Sequence, residues 1–271
     1  MRAAASEDGV TLHFAHVLPT PLSFKEGMVQ LKEMARELTG GNAITVVAGG
    51  IAGTLNKEKS LLYSAPNLRD WVKKPLKRSI QQMVSETAAV YIQNDAALAG
   101  LGEAHLGAGK GKRVVMYYTV STGVGGARIV DGRIDEGSFE PGYQVVCPAR
   151  EKWGSTRPLY LEDYISGRGL TMRYQRDPSH IHTVKIWDQV AKWLAYGLNN
   201  SIVHWFPEVV VLGGGLINHN AISIVKVRKY LKQTLRVFPA IPLIKKAHLG
   251  DESGLYGALV YARQHLSEGR G

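Results

Sequence analysis

The chain has 271 residues, of which 45% are hydrophobic and thirty are glycine, and its formal charge is +10; that is enough chain for one large domain or two modest ones with real cores. The single cysteine, Cys147, excludes an internal disulfide and cannot alone build a thiolate zinc site, as suits a reducing cytoplasm. No run reads as a signal peptide or as long enough to span a bilayer, so a soluble, cytoplasmic protein without a membrane partner is expected.

In chain order, residues 2–6 and 11–20 read as two strands of a hairpin around the Glu7-Asp8-Gly9 turn. Phe24, Met28, Leu31, Met34, Ala35 and Leu38 recur at helical spacing over residues 23–38, and the following Thr-Gly-Gly closes that helix. AITVVAGGIAG predicts a buried strand running into glycines, PLKRSIQQMVSET a second helix, and AVYIQND a further strand. Strand-helix-strand order implies a parallel α/β sheet. Residues 113–134 predict a hairpin with a glycine-rich tip, ending at an Asp-Gly turn, and residues 140–162 an irregular loop. Residues 186–206 predict a long amphipathic helix, EVVVLGGG a buried strand, and GDESGLYGALVYARQHL a final helix whose Gly254, Gly257 and Ala258 allow close packing. The basic groups KKPLKR, KGKR and KVRKYLK fall in different segments without interleaved stacking aromatics, which argues against a nucleic-acid partner.

Where the AVYIQN strand joins the next helix stand Asn94 and Asp95. Two readings are open for that pair: caps of the helix N-terminus, or, for Asp95, a carboxylate held at the C-terminal edge of a strand and able to take a proton from a substrate. Two glycine turns, Thr122-Gly123-Val124-Gly125-Gly126 and Gly213-Gly214-Gly215, let backbone N–H groups approach an anion closely. Each alone is better explained by the dihedrals of a tight turn, but two in the same half after a strand-end Asp point to a nucleotide.

The ordered motifs SAPNLRDWVKKPL, YIQNDAALAGLGEAHLGAG, YTVSTGVGGARIVDGRI, LEDYISG, PEVVVLGGG and LGDESGLYGAL resemble those of a ROK-family sugar kinase over nearly the whole chain. The resemblance implies an α/β, two-lobed actin-like ATPase (ribonuclease H-like) fold. Its lobes would be residues 1–106, completed by the C-terminal helix at 253–271, and residues 107–252. It implies ATP-dependent phosphorylation of a hexose with Mg²⁺, Asp95 being the catalytic base. Asn94, Glu140 and Glu162 would hold sugar hydroxyls, with Asn67 near the sugar. Thr122 and Gly123 would meet nucleotide phosphates, and Gly213, Gly214 and Gly215 the adenosine side. Polyphosphate as donor, a homodimer, and a non-catalytic sugar-binding or regulatory relative remain open alternatives.

The chain departs from that pattern at two places. Tyr143 stands where the family has a histidine, and no cysteine-rich zinc segment precedes Leu161-Glu162, so no zinc and no other structural metal is expected; His180 and His182, two residues apart in a polar loop, are read as unrelated to metal. The family's opening strand and Asp-x-Gly-Gly-Thr loop are not found before residues 2–6, so the N-terminal lobe is expected to show a vacant lane between the strands at 2–6 and 44–47.

Overall fold

In the computed structural model, which describes residues 1–14, 17–137, 139–147, 159–219 and 221–268, the chain divides into two units, Met1–Gly102 with Glu252–Gly271, and Glu103–Asp251. The first unit opens with β1 (Ala4–Ala5) antiparallel to β2 (His13–Phe14). Asp8 makes the turn between them, its Oδ1 accepting the N–H groups of Val10 and Thr11 at 2.7 Å each. The hairpin is present; of the strand expected over residues 11–20, β2 covers His13–Phe14, residues 15–16 lie outside the described residues, and residues 17–20, with Pro19 lacking an N–H to donate to a ladder, are not strand.

Ser23 accepts the Glu26 N–H and opens α1 (Phe24–Thr39), which Gly40 ends in the left-handed region at φ 57°. Next come β3 (Val46–Ile51), the antiparallel pair β4 (Thr54–Leu55) and β5 (Leu62–Ser64), α2 (Leu76–Val84), which starts after Pro75, and β6 (Ala89–Asn94). β3 and β6 run parallel, in register from Val46–Ala89 to Ile51–Asn94. Among the described residues β1 pairs with β2 and β3 with β6, so β1 and β3 belong to different sheets. With a partner on one edge only, β3 is half-buried and not buried as its sequence predicts. The core between α1, α2 and this pair holds Met28, Leu62, Trp71, Leu76, Ile80, Val90 and Ile92.

The chain leaves the first unit along α3 (Asp95–His105). Glu103, fully buried in the last turn of α3, is an unusual side chain to find there. Its Oε2 accepts the N–H groups of Ala108 (2.8 Å) and His248 (3.0 Å), and its Oε1 accepts that of Leu249 (2.8 Å). Gly107 turns directly above the carboxylate, where a Cβ would collide with Oε2.

The second unit is built on a five-stranded sheet. β7 (Val114–Val120), β8 (Val124–Val130) and β9 (Arg133–Ile134) form an antiparallel meander whose second turn places Asp131 and Gly132 at φ 50° and 73°, both positive as a tight hairpin turn with matching twist requires. After the short antiparallel pair β10 (Val145–Cys147) and β11 (Leu159–Tyr160) come α4 (Leu161–Ile165), α5 (Gly167–Tyr174) and α6 (Val184–Trp205), then β12 (Val209–Gly213), α7 (Gly215–Asn218), α8 (Ile224–Thr234) and β13 (Leu243–Lys246). The order is β13-β12-β7-β8-β9, with β13, β12 and β7 parallel. Central strands of a parallel segment are covered on both faces, and all of β12 and nearly all of β7 is buried. α6 and α8 cover one face, joining Val190, Leu194, Leu198, Val227 and Leu231 to Met116, Tyr118, Val210 and Leu212. The segment 140–162, expected to be irregular, contains β10, β11 and the start of α4, elements too short to show a period; residues 148–158 of it lie outside the described residues.

The chain returns to the first unit in α9 (Ser253–Glu268). A Cβ on Gly257 would run into the Leu98 carbonyl, and one on Gly102 would stand 2.4 Å from the Ser253 carbonyl, so α3 and α9 cross at backbone distance. Gly254, expected to serve the same contact, faces open space; Gly257 serves it, and Ala258 is buried. Among the described residues no helix is long and apolar enough to cross a membrane.

Candidate functional site

β6 delivers Asn94 to the first turn of α3. Asn94 Oδ1 accepts the N–H groups of Ala96 (2.9 Å) and Ala97 (3.2 Å), while Nδ2 donates to the Gly53 carbonyl at 3.2 Å. Capping therefore falls to the amide. Asp95 also accepts from Ala96 at 2.9 Å, yet its side chain stays open to solvent. Protein crowding the carboxylate strips part of its hydration and raises its pKa, against the smaller opposing pull of the Ala96 and Asp95 N–H groups. An accessible carboxylate whose proton affinity has risen has both properties that a general base requires.

Two glycines that sequence reasoning did not single out hold this pair. A Cβ on Gly50 would stand 2.9 Å from Asp95 Cα, and Gly53, at φ 125°, would place one 2.4 Å from the Ser64 carbonyl while its own carbonyl receives Asn94. The Gly-Gly-Ile-Ala-Gly run at the end of β3 is the signal that could have found them. Asn67 stands apart in an exposed turn closed by Leu68 N–H to the Ala65 carbonyl at 3.1 Å; its side chain bonds to neither Asn94 nor Asp95.

In the second unit Glu162 and the turn that carries Glu140 and Tyr143 both meet Val124, the first residue of β8, through the Glu162 carboxylate and Gly142. Glu162 Oε2 accepts the Val124 N–H at 2.8 Å and lies 2.9 Å from where a Cβ on Gly123 would stand, so a side chain there would displace the carboxylate. The Val124 carbonyl faces Gly142, whose Cβ would come within 2.5 Å. Gly142 belongs to a 3-10 turn, Pro141–Tyr143, tied by Tyr143 N–H to the Glu140 carbonyl at 3.0 Å. The half-exposed Tyr143 ring lies 5.4 Å from Tyr160. Burial raises the Tyr143 phenol's pKa, the charges of Glu162 and Glu140 raise it further, and Arg168 pulls it back. Arg168, whose N–H bonds the Thr122 carbonyl, brings a positive charge near this cluster, and no motif in the sequence marks it.

The two glycine turns lie at neighbouring strand ends. β7 and β12 are parallel and Gly213 pairs with Thr119, so both turns leave the carboxyl edge of the sheet, where α/β proteins bind ligands. The Thr122-Gly123 turn is closed by Ser121 N–H to the Gly123 carbonyl at 2.9 Å, and the N–H groups of Gly167 and Arg168 hold the carbonyls of Ser121 and Thr122. Gly214, at φ 87°, packs where a Cβ would collide with the Val120 backbone, and Gly213 presses on Tyr117, so both have packing reasons to be glycine. Gly215 has none, its nearest neighbour being a His219 ring carbon 3.9 Å from an ideal Cβ. Beyond it an apolar cavity of about 290 Å³ is lined by Ile217, Ile222, Ser223, Ile224 and Val225. Among the described residues no three His, Cys, Asp or Glu side chains converge as metal ligands would; His180 and His182 border a separate hollow with Arg176 and Thr183.

A family model described as ROK family matches residues 2–265. The chain belongs to the ROK family. Among its ROK-type relatives, the glucokinase of Streptomyces coelicolor is 28% identical, the match covering 92% of this chain and 90% of that protein. An N-acetyl-D-glucosamine kinase of Yersinia pseudotuberculosis is 30% identical over 93% of this chain and 90% of its own length. The structure of a ROK family glucokinase from Streptomyces griseus, in complex with glucose and AMPPNP, superposes with a TM-score of 0.80 at 24% identity, covering 97% of this chain and 96% of that one. The fold is the two-lobed, actin-like ATPase fold of ROK sugar kinases.

Proposed function

We propose that this ROK protein transfers the γ-phosphoryl group of ATP to a hydroxyl of a hexose, glucose or a related sugar, in the cytoplasm. The observation that carries the reading is the division of labour at the start of α3: Asn94 takes the Ala96 and Ala97 N–H groups, so Asp95, which shares only that of Ala96 through Oδ1, keeps Oδ2 for other work in an exposed residue of raised pKa. A sugar hydroxyl is a weak nucleophile, and a carboxylate in hydrogen-bond reach that accepts its proton contributes about 10²–10⁴ in rate. Glu140, Glu162 and Tyr143 supply acceptors and a donor for the remaining hydroxyls. Asn94 has one amide hydrogen left for a neighbouring hydroxyl once Gly53 is served, and Asn67 is assigned to the same sugar. Thr122 and Gly123 suit phosphate, Gly213, Gly214 and Gly215 line the adenosine side, and the apolar hollow beyond Gly215 suits a planar base. The Mg²⁺ carried by ATP would neutralise phosphate charge during transfer. The test is a coupled assay of ADP release against a hexose panel; absence of turnover with retained sugar binding would point to a regulatory relative instead.

Two expected results follow from the site. Glu140→Ala should weaken hexose binding by roughly tenfold or more, since a charged acceptor of hydroxyl protons is lost while the Pro141–Tyr143 turn keeps its backbone bond to residue 140. Titration calorimetry reads this directly, and unchanged affinity would place Glu140 outside the site. Chelation by EDTA should abolish turnover, with full recovery on adding Mg²⁺, and elemental analysis should find no stoichiometric zinc, because the chain offers one cysteine and has Tyr143 at the position where the family carries histidine. One zinc per chain would overturn the ligand argument.

A further inference from the structure

Gln144 follows Tyr143 directly and has no part in the chemistry above. Its Nε2 donates to Tyr118 Oη (2.8 Å) and the Pro141 carbonyl (3.0 Å), and lies 3.2 Å from Ser201 Oγ. Tyr118 Oη and Ser201 Oγ are themselves 2.6 Å apart, on side chains that are essentially wholly buried. The same residue's main-chain carbonyl accepts the Leu161 N–H at 2.8 Å, one residue before Glu162. One amino acid thus ties three things to the core of the second unit: β7 through Tyr118, α6 through Ser201, and both segments that present Glu140, Tyr143 and Glu162.

The arrangement is not the one that stability alone would select. Gln144 Oε1 is buried and has no hydrogen-bond partner among the described residues, and a buried acceptor left unpaired costs stability that an apolar side chain of similar length would not forfeit. Residues that break a local packing rule in this way are expected where position matters more than stability.

We propose that Gln144 is a positioning residue that fixes the Glu140–Tyr143 turn and the start of α4, and thereby sets the affinity for the acceptor sugar. The inference rests on the sugar-kinase reading and names a determinant of its acceptor site. Through the Pro141 carbonyl the amide fixes how far the turn stands above β8, where Gly142 already touches the Val124 carbonyl. Without it the turn can tilt, and the carboxylate of Glu140 and phenol of Tyr143 move together relative to Glu162. Placement errors of this size at a polar site cost large factors in binding and rate.

The test compares wild type with Gln144→Met, which keeps length and apolar bulk but has no donor, and with Tyr118→Phe, which removes the amide's deepest partner and keeps the ring. Glucose, N-acetylglucosamine and AMPPNP are titrated separately by calorimetry, so that turnover is not needed, and melting temperatures are recorded alongside. The expected result is sugar affinity weakened roughly tenfold or more in Gln144→Met, AMPPNP affinity changed by less than about twofold, and a melting temperature within a few degrees of wild type, since the lost bonds to Tyr118 and Pro141 are partly offset by removal of the unpaired Oε1. Tyr118→Phe should give the same split, and the double variant should bind no worse than Gln144→Met, because both changes cut one network. Gln144→Asn, one methylene short of the Pro141 carbonyl, should not restore affinity. Sugar affinity within about twofold of wild type in both single variants, or equal losses for sugar and AMPPNP with a lowered melting temperature, overturns the proposal. If Gln144→Met does not fold, Tyr118→Phe and Ser201→Ala carry the same comparison. Wild-type protein that binds neither sugar removes the sugar-kinase reading and this role with it, whereas wild-type binding matched by the variants removes only the role of Gln144.

Discussion

Asp95→Asn is expected to lower turnover by about 100-fold or more while hexose affinity stays within roughly twofold of wild type. The substitution is nearly isosteric, and α3 keeps its cap because Asn94 supplies it through Ala96 and Ala97. What disappears is the capacity to accept a proton. The shift in the carboxylate also sets two pH effects of known sign. The base works only when deprotonated, so turnover should fall as pH drops through the raised pKa, at higher pH than for an ordinary aspartate. For stability, a carboxyl that binds its proton more tightly folded than unfolded favours the folded state below its folded pKa and loses that contribution above it. At neutral pH the wild-type carboxylate is therefore a mild burden, and the asparagine variant should melt at the same temperature or higher. Near-wild-type turnover in the variant would return Asp95 to a structural role at the helix start.

The second large effect concerns stability. Glu103→Ala should reduce unfolding free energy by about 3 kcal/mol or more, because three backbone N–H groups, those of Ala108, His248 and Leu249, lose their acceptor inside the protein, each at roughly 1–3 kcal/mol, and a cavity opens beside them. Glu103→Gln is the sharper variant: its size is right, but its amide nitrogen must face one or more of those N–H groups as a second donor, so it should recover only part of the loss. Urea midpoints measure both. A change below about 1 kcal/mol for Glu103→Ala would mean that water or a rearranged loop serves the three donors, and that the carboxylate is not needed there.

The elements with long periodic or alternating text were legible in the sequence. α1, β6, α6 and the β7–β8 hairpin follow from apolar spacing and turn residues, and their bounds differ from expectation by few residues. α8 and β13 carry their charges on Lys226, Arg228, Lys229, Lys232, Lys245 and Lys246, and sequence reading saw a basic cluster where the structure has a helix with Val227 and Leu231 buried beneath it. At the site, the Asn-Asp pair drew attention, yet which of the two caps α3 depends on side-chain direction, which the order of residues does not carry. Arg168 and Gln144 carry no such signal, because each acts on residues distant in sequence, and the glycine run that holds Gly50 and Gly53 does not say which residue they pack against. Glu103 lies in the same motif as Asn94 and Asp95, but its carboxylate is spent on His248 and Leu249, nearly 150 positions away.

The return of α9 to the first unit has a consequence for the order in which the protein is made. Residues 103–251 form one uninterrupted unit whose core is complete once β13 has been synthesised, whereas the unit holding Asp95 lacks the surface that covers Leu98 and Gly102 until Ser253–Glu268 has emerged. On the ribosome the later-encoded unit can therefore close first, and the N-terminal residues must wait, with the face of α3 around Leu98 and Gly102 open, for nearly the whole chain. A stop codon near residue 250 would leave the sequence of the Asn94–Asp95 site untouched and still deprive it of its support.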